Sequence, residues 1–149
     1  QPDDLKPGET FETFTFWSRS EYSDFATQAK DHALEVLGRI HAVTKASGIP
    51  LNIVAIPYAD QVVNPTPKGP GYDLTRPQAF VEGFARRRGI PYLDLMPGIR
   101  EKAGKNPVLL YMSSVMHDHH FNDAGHALAG RLIADFMKGH PECVGDAIK

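Results

Sequence analysis

Leu51-Asn52-Ile53-Val54-Ala55-Ile56-Pro57 is the stretch on which the reading of the fold turns. It is short, almost wholly apolar and rich in β-branched side chains, as expected of a strand buried on both faces of a parallel sheet. Working outward, Ser23 and Asp24 open a strongly periodic helix upstream. Phe25, Ala29, Ala33, Leu37 and Ile40 recur on one face, Leu34, Val36 and Val43 widen it, and Gly48 ends it. Downstream, Tyr58, Asp60 and Gln61 follow the carboxyl end of the strand, the edge at which ligands gather in open α/β sheets.

Residues 63–76 carry Pro65, Pro67, Gly69, Pro70 and Gly71, which predicts a long loop. Pro77 suits the first turn of a second helix with Phe80, Val81 and Phe84 on its buried face. Arg86, Arg87 and Arg88 lie at its wet C-terminal end, and Gly89 stops it. Ile90-Pro91-Tyr92-Leu93-Asp94-Leu95 reads as a second strand, with Asp94 and the Pro97-Gly98 turn at its carboxyl edge. A mixed connection over 99–116 includes the apolar Val108-Leu109-Leu110-Tyr111, and a terminal helix spans 123–138. Helices alternating with strands argue for a parallel sheet with helices on both faces.

A chain of 149 residues has the length of one domain and can bury a core. With 16 basic and 18 acidic side chains the formal charge is -2, so no nucleic-acid footprint is implied. Cys143 is the single cysteine, which excludes an internal disulfide framework and a multi-cysteine zinc site and leaves the compartment open. No apolar run approaches the roughly 20 residues needed to span a bilayer, and no signal peptide is legible in the chain. Residues 1–21 read as a linker or an excursion over a surface, with Phe11, Phe14, Phe16 and Trp17 packing beneath a neighbouring element. Residues 139–149 read as a polar tail.

Met116-His117-Asp118-His119-His120-Phe121-Asn122-Asp123-Ala124-Gly125-His126 crowds acids and imidazoles just ahead of the terminal helix. Asn122 is a good N-cap and Asp123 suits the positive end of the dipole. Ala124, Leu128, Leu132 and Phe136, with Ala129, Ile133 and Met137 beside them, make one apolar stripe that docks the helix and holds Asp118 and His120 in place. An imidazole so placed, with an acid two residues away to set its tautomer, suits general acid/base chemistry. His117, His119, His120 and His126 with Asp118 also contain zinc-type ligands, but an extended segment sends alternate side chains in opposite directions. His126, in the first helical turn, reads as satisfying a local partner.

Three segments carry a family resemblance: the strand ending at Pro57 with Asp60-Gln61-Val62, the strand from Gly89 to Leu95, and Asp118-x-His120-x-Asn122-x-x-Gly125-His126. Together they resemble the C-terminal half of SGNH (GDSL-type) hydrolases. Within that superfamily they look most like the branch of alginate O-acetyltransferases and carbohydrate O-acyl esterases. The likeness covers residues 22–138. It implies a three-layer α/β/α, flavodoxin-like fold of class α/β with a parallel sheet, of which this chain is the C-terminal portion.

The resemblance also implies a serine-dependent esterase or O-acyltransferase acting on an O-acylated small molecule or carbohydrate, without a cofactor and in an extracytoplasmic setting. It assigns His120 as general acid/base, Asp118 as its orienting partner, and Asp60, Gln61 and Asp94 as residues lining the substrate cleft. The family's Gly-Asp-Ser nucleophile and Gly-x-Asn-Asp block do not occur here. The serine is therefore expected from the N-terminal half of the same domain or from a companion chain. Two strands alone would leave an unpaired inner edge, which natural proteins avoid, so the chain is expected to associate with that missing piece. Two other readings stay open: a non-enzymatic α/β binding module, and a metal-binding protein using the histidine cluster.

Overall fold

The computed structural model describes residues 14–63, 71–104, 106, 109–112 and 120–144. In chain order the elements are α1 (Phe14–Trp17), α2 (Asp24–Ala46), β1 (Ile53–Ala55), α3 (Ala59–Val63), α4 (Arg76–Arg88), β2 (Tyr92–Asp94), α5 (Met96–Ala103) and α6 (Asp123–Gly139), followed by a 3₁₀ turn over Pro141–Cys143.

Local chemistry sets the helix ends. The Ser23 hydroxyl accepts the Ala26 N–H at 3.2 Å to start α2, and Asn122 Oδ1 accepts the Gly125 N–H at 3.0 Å to start α6. Pro77 lies in the first turn of α4, where its missing N–H costs nothing. Gly89, at φ 65°, closes that helix in the left-handed conformation that a side chain would strain.

β1 and β2 pair in parallel, Ile53 opposite Tyr92, Val54 opposite Leu93 and Ala55 opposite Asp94. The Ile53 N–H donates to the Pro91 carbonyl and the Leu95 N–H to that of Ala55, both at 3.0 Å. Alternation along the strands then divides the packing. Val54 and Leu93 pack against a core of Val62, Leu95, Ile99, Leu110, Tyr111 and Phe121, with Ala129 of α6. Ile53 and Tyr92 pack on the other side against Phe84, Ala85 and Ile90, joined by Leu34 and Leu37 of α2.

These facts overturn the expected three-layer α/β/α, flavodoxin-like fold and, with it, the resemblance to SGNH hydrolases. The described residues are 64% helical, and the sheet is an open pair of strands instead of a multi-stranded parallel core. Each strand pairs over three residues only. The reason is physical. Pro50 and Pro57 bound the first apolar run and Pro91 interrupts the second, and a ladder extends only as far as backbone partners do. Among the described residues no further strand lies against β1 or β2.

The segment before α2 is anchored. Phe16 and Ser18 are buried, the Asp73 N–H donates to the Ser18 carbonyl, and Arg19 bridges Tyr72. After α6, Cys143 is buried and its carbonyl accepts from Asn52 Nδ2 at 3.2 Å.

Candidate functional site

At the carboxyl edge of the strands, the segment Leu110–Met112 runs antiparallel to His120–Asn122. The Met112 N–H donates to the His120 carbonyl at 2.8 Å, and the Asn122 N–H to that of Leu110 at 3.0 Å. Tyr111 stacks on Phe121 and donates its hydroxyl to the Pro57 carbonyl at 2.9 Å, which ties this pairing to the end of β1. Burial pushes the Tyr111 phenol up, away from ionisation. Gly125 is required here, because a Cβ would stand 2.1 Å from the Leu110 carbonyl oxygen. The backbone of His120 is thus held at the mouth of the sheet while its side chain is exposed. Asp118, like His117 and His119, lies outside the described residues.

The three residues expected to line a cleft have different surroundings in this structure. Gln61 is 1% exposed and ties several elements together. Its Oε1 accepts from the Tyr58 N–H at 2.9 Å, its Nε2 donates to the Leu74 carbonyl, and its amide exchanges hydrogen bonds with Gln78 at 2.9 and 3.0 Å. Its carbonyl accepts from Arg100 Nε and Nη2 at 3.2 and 2.7 Å. Asp94 Oδ1 accepts the Met96 N–H at 2.9 Å and so serves the start of α5. Asp60 is half-buried in the first turn of α3. His126 is exposed and stacks edge-on against Phe121, a local contact.

Gln61 also lines a cavity of about 200 Å³, together with Trp17, Ile56, Tyr58, Pro77, Gln78 and Val81. Trp17, Pro77 and Val81 also line a second hollow of about 350 Å³ between α2 and α4. There Tyr22 stacks on Trp17 and Phe80, and the Arg76 guanidinium lies over both Tyr22 and Phe80. Burial pushes the Tyr22 phenol up to about 12, against the opposing pull of Arg76. Gln78 and Arg100 are the polar residues here that sequence reasoning missed. Their partners lie 17 and 39 positions away, and no local pattern signals such pairings.

Compared with family models, with curated proteins and with solved structures, the chain matches none. The serine-dependent ester hydrolysis or acyl transfer implied by the resemblance is therefore withdrawn, and with it the assignment as an SGNH-type esterase or acyltransferase. In the SGNH family a multi-stranded parallel sheet brings nucleophile, base and acid together, and the described residues provide a two-stranded one. Among the described residues no group of three or more His, Cys, Asp or Glu comes together to hold a metal. No described helix is long and apolar enough to cross a membrane.

Proposed function

We propose that the chain is an association module that binds a second polypeptide segment by strand addition to the outer edge of β1, with the uncovered apolar stripe of α2 as a further, separate contact. The carrying observation is the burial of α2. This helix of 23 residues has Ala26 as its only buried residue. Val36, Ile40 and Val43, spaced as one stripe, are 37%, 43% and 67% exposed.

Strand β1 is equally unfinished. Ile53 and Ala55 direct their peptide groups at β2, so Val54 between them directs its own N–H and carbonyl the other way. Among the described residues neither group of Val54 has a hydrogen-bond partner. Ile56 and Tyr58 prolong the exposed apolar surface beyond the strand. An unpaired strand edge is what strand addition uses: main-chain bonds supply affinity and side-chain packing supplies selectivity.

Sedimentation of the purified chain over a concentration series tests the reading. Self-association through these two surfaces is expected, and it should be abolished by Val54→Pro and by the pair Ile40→Glu, Val43→Glu. Proline at 54 removes an outward N–H without touching the β1–β2 ladder. A chain that stays monomeric at high concentration and unfolds in one sharp reversible transition contradicts the proposal.

A further inference from the structure

A third concavity lies at the opposite, amino end of the strands. It encloses about 720 Å³ where the C-terminal ends of α2 and α4 meet the segments leading into β1 and β2. His41 and Lys45 enter it from α2 and Arg88 from the last position of α4. Its floor is apolar, formed by Leu51, Ile90 and Pro91.

The two permanent cations are unspent. Among the described residues neither Lys45 nor Arg88 takes part in an ion pair. Nor is Arg88 a loosely waving helix end. Its guanidinium lies 4.8 Å from the centre of the Phe84 ring and against Gly38, where an added Cβ would stand 3.2 Å from Nη2. Packing on both sides fixes the donor fork, which lowers the entropy lost when it grips an anion.

The one carboxylate on the rim among the described residues, Glu142, already bonds His140 Nδ1 at 2.8 Å. The negative ends of two helix dipoles offset part of the positive charge, each by about half an elementary charge that fades within a turn. Against those partial charges and the Glu142 carboxylate, Lys45 and Arg88 bring two full charges as direct donors into the bowl, with His41 as a further donor.

We infer that this bowl binds a small organic anion, a carboxylate or phosphate ester whose charged group meets Lys45 and Arg88 and whose apolar body rests on Leu51, Ile90 and Pro91. Titration calorimetry of the full chain with benzylphosphonate, phenylacetate and neutral benzyl alcohol tests it. One-to-one saturable binding of at least one anion and none of the alcohol is expected, and the tighter anion names the headgroup. Lys45→Gln and Arg88→Gln should each weaken binding about tenfold or more, the loss expected when a hydrogen bond to a charged group is removed. Arg86→Gln, outside the bowl, should leave it unchanged, and Arg88→Lys should retain part of it. Failure of both anions to saturate, equal binding of the alcohol, or an equal loss in Arg86→Gln would overturn the inference.

Discussion

The two sides of the small sheet are built to different degrees. On the side of Val54 and Leu93, α5, α6 and the Tyr111–Phe121 pair close over a core in which Leu95 and Ile99 are all but sealed from solvent. On the side of Ile53 and Tyr92, Phe84, Ala85 and Ile90 are the buried members, and α2 leaves most of its apolar stripe uncovered. Both sides derive from equally periodic helices, so amphipathicity alone does not decide burial. A helix sinks its apolar face only where the chain supplies a surface to receive it, and α2 has more face than the described residues supply surface.

Substitutions can sharpen that contrast. The largest effect is expected on the closed side: Leu95→Ala should cost about 2–5 kcal/mol in denaturant unfolding, because it empties a packed site that cannot collapse. Next, Gln61→Ala strands the amide of Gln78 and the carbonyl of Leu74, a loss of roughly 1–3 kcal/mol. Tyr111→Phe removes one buried hydroxyl bond to Pro57 and should cost about 1 kcal/mol.

A pH series probes the hollow between α2 and α4. The Tyr22 phenol ionises near 10.0 when unperturbed and near 12 in the fold, so folding favours its neutral form. Its contribution is complete below pH 10.0 and is lost as pH rises through 12. Tyr22→Phe should flatten that alkaline decline in melting temperature, and an unchanged decline would assign it elsewhere. The smallest effect belongs to the open side. Val43→Ser should move monomer stability by less than about 0.5 kcal/mol. A loss comparable to that of Leu95→Ala would show that α2 is already covered and erase the distinction between the sides.

Much of the helical framework was legible because its signals are local. Ser23 and Asn122 cap through contacts three residues away, and Gly89 stops α4 by its own φ. The sheet was not. The runs 51–57 and 90–95 have strand composition, yet a strand is only as long as its partner allows, and three residues of each pair. Gln61 shows the same limit at the candidate site: no local pattern signals its bonds to Gln78 and Arg100, far along the chain, which make it a buried tie at the wall of a cavity. The family resemblance drawn in part from the motif around His120 misled for a related reason. The spacing Asp118-x-His120 suits a catalytic pair only on a sheet that presents it to a nucleophile, and spacing carries no record of the sheet.

Amide hydrogen exchange resolved at β1 tests the central claim most directly. The Ile53 N–H, bonded to Pro91, should be protected in the dilute monomer, whereas the Val54 N–H should exchange faster by orders of magnitude and become protected as the chain associates. Equal protection of the two amides in the monomer, or association that leaves Val54 exchanging freely, would contradict an open β1 edge as the binding surface.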